Sequence, residues 1–345
     1  MKRLKRWTAF LLSVLLLLPV ASVLPTAGAK TALPYCGVDV SRWQGTVDWA
    51  KAKKAGVQFA VLRCYAARKD TTFDTNYQNA SAQGIALGAY VYMYATTEQG
   101  AVREAQATLD ALAGKALTMP LFLDVEDPTV TALGKSRLTD LMLIELEIFA
   151  AAGYKTGVYT SQSFAQTYMD ASRLTAYDWW IARWTCYRTE QNGKTFLFAD
   201  ESPTSAKKPD CDMWQFSNGG RGSTYGMGST AVDLNFCYKD YFSEGPYTPN
   251  EHRYEAAVYT PTCLDPGYLL LRCADCGDQM VKPYAPALGH TAPDLTGHCA
   301  RCGLDLVGIQ NGTACPLCGQ THGGMFGWLT LFMHRLLVWM KRSLI

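Results

Sequence analysis

Eight short apolar runs, spread over about 200 residues and alternating with helical patterns, restrict the fold of this chain more than any other feature. They are GVDVS (37–41), VQFAVLRC (57–64), ALGAYVYMY (86–94), PLFLDVE (120–126), TGVYTS (156–161), DWWIARW (178–184), MWQFS (213–217) and AVDLNF (231–236). The clearest helical stretches between them run from Glu98 to Leu112 and from Lys135 to Ala152, where apolar residues recur every three or four positions. Short buried strands alternating with helices predict a parallel sheet covered by helices. Eight of them predict closure into a TIM-like β/α barrel, irregular on its late side, where the connections fall short of full helices.

The fourth run carries the chemistry. Asp124 and Glu126 stand at i and i+2, so a strand points both carboxyl groups the same way, about 6–7 Å apart. They lie at the strand's C-terminal end, which faces the active site in a β/α barrel. Asp39 in the first run and Asp233 in the last belong to strands that become neighbours when a barrel closes. Four convergent carboxyl groups are too costly to bury without a function. Two acids on one barrel face suit glycosidic bond cleavage, in which one donates a proton to the leaving oxygen and another stabilises positive charge at the sugar. Taken alone, the DVE pair also reads as a strand ending at Asp127-Pro128 with a helix cap behind it. All five histidines fall at or after His252, which excludes a Ser-His or Cys-His triad within the barrel.

The segments GVDVSRWQGTVDW, LGAYVYMY, LFLDVE, YDWWIARW and MWQFS…GSTAVDLNF, in that order from Gly37 to Phe242, resemble the family 25 glycoside hydrolases, the N,O-diacetylmuramidase type of lysozyme. The resemblance implies a flattened barrel. It implies hydrolysis of the β-1,4 bond from N-acetylmuramic acid to N-acetylglucosamine in peptidoglycan, without a catalytic cofactor. By position, Glu126 is expected as acid/base and Asp124 as its partner on the substrate's N-acetyl group, with Asp39 and Asp233 as the other pocket acids. Tyr65, Tyr94, Trp184 and Trp214 are expected along the sugar groove, although aromatic residues fill cores as readily. Met93 stands where the family has a histidine. A substrate-assisted retaining route fits this set. The rival readings are a non-catalytic glycan-binding surface protein, and a scaffold in which the tail does the work.

The ends of the chain are unlike the barrel. Lys2, Arg3, Lys5 and Arg6, an apolar run to Leu24 and the small residues Ala27-Gly28-Ala29 read as a secretory signal peptide over 1–29, with an uncleaved anchor as the alternative. Secretion or display at a bacterial cell surface follows. Without those four basic residues the balance is 28 basic to 30 acidic, so no nucleic-acid partner is expected. The expected barrel spans 36–242. Prolines mark a linker over 243–261, and a Cys-rich, zinc-ribbon-like module follows over 262–320.

Five of the twelve cysteines lie in the barrel, where Cys186 and Cys211 are the expected disulfide pair. In the tail, Cys299, Cys302, Cys315 and Cys318 have two-knuckle spacing for a structural zinc ion, and Cys263, Cys273, Cys276 and His290 offer a second site. Disulfides are the alternative in an oxidising exterior. Residues 325–345 form an apolar, Trp-bearing helix candidate broken by His334 and Arg335, either interfacial at a membrane or packed on the module.

Overall fold

The computed structural model describes residues 33–189, 192–290 and 299–303. The expected leader (1–29), Cys315, Cys318 and the expected terminal helix (325–345) lie outside them. No helix among the described residues is long and apolar enough to cross a membrane.

Eight strands close a barrel in chain order: β1 (Tyr35–Val40), β2 (Phe59–Tyr65), β3 (Ala86–Tyr92), β4 (Leu121–Asp124), β5 (Thr156–Ser161), β6 (Asp178–Cys186), β7 (Met213–Arg221) and β8 (Ala231–Cys237). Helices follow the first five strands: α1 (Trp49–Lys54), α2 (Phe73–Ala82), α3 (Glu98–Leu112), α4 (Lys135–Ala151) and α5 (Gln162–Tyr168). From β1 to β7 all neighbours are parallel. The eighth strand departs from the expected parallel sheet, running antiparallel to both β7 and β1. The reason is the length of the link. Only the turn at 222–230 joins β7 to β8, too short for a parallel crossover, whereas a hairpin fits.

Strand alternation sorts side chains into two layers. Toward the helices go Val38, Leu62, Val91, Leu123, Val158, Phe216 and Phe236. Toward the barrel axis go Tyr35, Phe59, Phe122, Trp180, Met213 and Tyr241, which plug the interior. Glycines make room for the rings. A Cβ on Gly37 would fall 2.4 Å from the Phe59 ring, and one on Gly157 would fall 2.6 Å from Phe122.

Trp214 corrects one expectation. It is on the outward phase of β7 and fully buried, with its rings 5.9 Å from Phe216 and 6.1 Å from Phe236. Its indole N–H donates to the Arg183 carbonyl at 2.9 Å. It is core, not groove. Trp214→Ala is therefore expected to destabilise the fold by about 3–5 kcal/mol, read by urea unfolding, with glycan affinity of the folded fraction unchanged.

Helix α4 is buried on all sides, because a second sheet covers the face that the barrel leaves open. This antiparallel sheet, in the order β11-β10-β9, contains β9 (Tyr254–Tyr259), β10 (Gly267–Cys273) and β11 (Gln279–Ala285). Leu269 and Leu271 of β10 join the core around α4. Polar ties hold the sheet there. Tyr284 donates to Glu98 at 2.8 Å, Arg173 donates to the Tyr284 carbonyl at 2.6 Å, and Lys282 pairs with Glu147 at 3.2 Å. The stretch read as a linker is therefore structured. Tyr247 bonds Leu117 through the backbone, and β9 begins inside that stretch.

Candidate active site

Three strands deliver the four acids to one end of the barrel. Asp39 and Asp233 face each other across the β1–β8 pairing, a consequence of the antiparallel closing strand. Asp124 ends β4 and Glu126 follows two residues on. Together with Ser41, Trp43, Gln44, Arg63, Tyr90 and Tyr92, these acids line a cleft of about 260 Å³. The four expected pocket acids are thus brought together.

Asp39 is buried and held from two sides. Its Oδ2 accepts from Asn235 Nδ2 at 2.7 Å and from Gln215 Nε2 at 3.0 Å. The amides are oriented in turn. Gln215 Oε1 accepts from the Tyr159 hydroxyl at 3.0 Å and the Trp184 indole at 2.8 Å, and Asn235 Oδ1 accepts from the Trp180 indole at 2.8 Å. With both carbonyl oxygens engaged, the N–H groups are left to face Asp39.

Burial raises the carboxyl pKa of Asp39 and, well above its ordinary value, that of Asp233; the Asp39 charge adds to the shift of Asp233. The side-chain hydrogen bond between them pulls the Asp39 pKa down and pushes that of Asp233 up.

Asp124 is also buried, and its Oδ1 has no hydrogen-bond partner among the described residues. Burial, then the charges of Glu126 and Asp39, hold its pKa well above the usual carboxylate range, against the pull of Arg63. Arg63 is fixed by Asp70 through bonds of 2.9 and 2.8 Å.

Glu126 lines the cleft, partly buried and partly open to solvent. That partial burial, then Asp39 and Asp127, raises its pKa. Asp127 itself caps the turn at Pro128–Leu133, accepting from the Thr129 N–H at 2.9 Å. Strand end and cap therefore coexist with the acid pair.

The aromatic expectations divide. Trp184 is exposed and bonded to Gln215, and Tyr94 is exposed with its ring 4.9 Å from Tyr92, though neither lines the cleft itself. Tyr65 is half-buried against the outer core and is not a cleft-lining residue. Met93 is buried on the outward phase of β3, so it offers no cleft contact. The sequence reading missed Trp43, Arg63, Tyr90, Tyr92, Gln215 and Asn235. Their signal was present. Tyr90 and Tyr92 share the phase of the axis-facing residues, and Gln215 and Asn235 are polar residues inside otherwise apolar strands.

Two cysteine expectations also change. Cys186 and Cys211 are free thiols, turned to different backbone carbonyls: Cys186 to Asp200 and Cys211 to Pro209, each at 3.5 Å. Among the described residues of the tail, the donors group differently. Cys263, His290, Cys299 and Cys302 form one cluster, while Cys273 and Cys276 join His252 in another. Nearness in sequence had paired them otherwise, because the turns of the sheet bring distant donors together.

A β/α barrel that gathers carboxyl groups at one end, where β1 and β4 finish and the antiparallel β8 begins, has the layout of a glycoside hydrolase. Residues 38–224, more than half of the chain, match the Glycosyl hydrolases family 25 profile, and the chain belongs to that family. It is 30% identical over 207 residues to Lysozyme M1 of Streptomyces globisporus, covering 57% of this chain and 66% of that one. It is 28% identical over 173 residues to protein YegX of Escherichia coli strain K12, covering 48% and 62%. The matches therefore span slightly less than two thirds of these relatives. Among solved structures, the CTP1L endolysin superposes with a TM-score of 0.49 at 27% identity, covering 61% of this chain and 68% of the other.

Proposed function

We propose that the protein is a secreted muramidase that hydrolyses the β-1,4 bond between N-acetylmuramic acid and N-acetylglucosamine in peptidoglycan. Residues 1–29 would serve as the export signal, and the protein would act outside the cell or at its surface. The observation that carries the reading is the convergence of Asp39, Asp124, Glu126 and Asp233 in one cleft. Membership of family 25 and the likeness to a lysozyme support it.

In this reading Glu126 gives its proton to the glycosidic oxygen as the bond from that oxygen to the sugar C1 breaks. The carbonyl oxygen of the neighbouring N-acetyl group bonds to C1 from the opposite face. In its ionised form Asp124 accepts the acetamido N–H on its partnerless Oδ1, holding that group in line and balancing its positive charge. A water molecule then gives a proton to Glu126, attacks C1 and opens the ring, which restores the N-acetyl group and retains configuration. Asp39 and Asp233 keep negative charge near the reacting centre, and no metal takes part in any step.

The test is digestion of purified peptidoglycan, followed by borohydride reduction and acid hydrolysis. Muramitol as the new reduced sugar is the expected result. Glucosaminitol would mean the other glycosidic bond is cut. Glycan binding without new ends would make the protein a binding module.

A pH profile tests Asp39. Glu126 is raised first by burial and then by the Asp39 charge. Asp39→Asn removes that charge, lowers the pKa of the donor, and leaves Glu126 protonated only to a lower pH. The alkaline limb of kcat/KM is expected to move to lower pH; an unmoved limb would place Asp39 outside the donor's field.

A further inference from the structure

We propose that Cys263, His290, Cys299 and Cys302 bind one structural zinc ion, which clamps the loop before β10 to the segment after β11. The donors come from three separate places. Cys263 precedes β10, His290 follows β11, and Cys299 and Cys302 lie further on. Their donor atoms all lie within 4.8 Å of one another. Cys263 Sγ and Cys299 Sγ are 3.9 Å apart, and Cys302 Sγ is 3.4 Å from His290 Nδ1. A tetrahedral zinc with ordinary bond lengths sets sulfur atoms about 3.8 Å apart and sulfur about 3.5 Å from nitrogen. The separations match coordination, and the sulfur atoms are too far apart for a disulfide bond.

The backbone at the second pair is shaped for a metal. Gly303, directly after Cys302, has φ 73°, and its N–H donates to the Cys299 carbonyl at 2.7 Å. This tight turn aims both thiols to one side. Cys273 and Cys276 repeat it, with Gly277 at φ 77° and its N–H on the Cys273 carbonyl at 3.0 Å. That second knuckle meets His252, with Cys276 Sγ 3.3 Å from Nδ1, and supplies three donors among the described residues. Arg301 supports the four-donor site from within its knuckle, donating to the Leu288 and Gly289 carbonyls at 3.2 and 2.9 Å beside His290.

The clamp matters because the sheet is small. Three strands with one buried face gain little from burial alone, and a metal bound only by the folded tail contributes its binding energy to folding. The sheet in turn covers α4. None of the four donors lines the acid cleft, so this site is separate from the one that cuts glycan.

The full-length chain would be purified without chelator and its zinc measured by atomic emission, with Cys299→Ser, Cys302→Ser, Cys273→Ser and His290→Cys prepared in parallel. Wild type is expected to hold one zinc equivalent more than Cys299→Ser or Cys302→Ser. Cys273→Ser keeps that equivalent, and His290→Cys retains it because a thiolate replaces the imidazole. Loading with cobalt(II) should give thiolate-to-metal absorption in wild type and in His290→Cys, so the test stands even if the serine variants fail to fold. Equal zinc in wild type and Cys302→Ser would overturn the proposal. So would metal-free wild type whose peptide masses join Cys263 to Cys299.

Discussion

Glu126→Gln is expected to lower the release of reducing ends from peptidoglycan by about 10²–10⁴-fold, the range that a positioned proton donor contributes. Glutamine keeps the size of the side chain and its hydrogen bonding but has no acidic proton to give. Glu126 reaches solvent at the mouth of the cleft, so the exchange costs no core packing. The fold and the affinity for glycan are expected to survive. Rates measured on soluble peptidoglycan fragments would separate the outcomes: a fall in kcat with KM retained marks a donor. Equal rates in the two proteins would remove Glu126 from the chemistry.

Asp124→Asn is expected to cost about 10²–10³-fold in kcat, the scale of losing one oriented group that meets developing charge. Asparagine can still accept the acetamido N–H through its carbonyl oxygen, but it cannot balance the positive charge that forms on the ring intermediate. Stability should move the other way. Burial, then Glu126 and Asp39, keep the native Asp124 protonated at pH values where an unfolded aspartate has ionised. Over that window the native state binds more protons than the unfolded one, so wild-type stability falls as pH rises from the ordinary aspartate value to the native one. The asparagine variant lacks that term. Thermal unfolding across pH should show a shallower decline, and at neutral pH a melting temperature at or above wild type. A variant both slower and less stable at neutral pH would make Asp124 a structural residue.

Opposite signs in activity and stability are the mark of strain kept for function. The Asp39–Asp233 pair shows the same trade by other means. There the cost of burial is met by amides whose own oxygens are engaged elsewhere.

Much of this was legible in order along the chain. All eight strands could be placed, because each is a short apolar run between polar turns, and α3 and α4 were visible in their three- and four-residue spacing. Asp124 and Glu126 could be aimed together because strand side chains alternate. Trp214 was misjudged because alternation assigns a residue to a face without saying what packs there; its face of β7 meets Phe216 and Phe236. Arg63 and Gln215 went unassigned because their roles depend on Asp70 and Asp39, partners that no local pattern names.

The sequence alone determined the strands, the phase of their side chains, the acids at their ends and the family they belong to, since these are local properties of spacing and residue type. Tertiary structure decided the rest. It set β8 antiparallel so that Asp39 meets Asp233, wrapped Asp39 in amides from β7 and β8, and regrouped the tail donors as Cys263, His290, Cys299 and Cys302. The reason is that these depend on contacts between residues far apart in the chain. Closing a barrel or turning a sheet creates such contacts, and short-range periodicity carries no record of them.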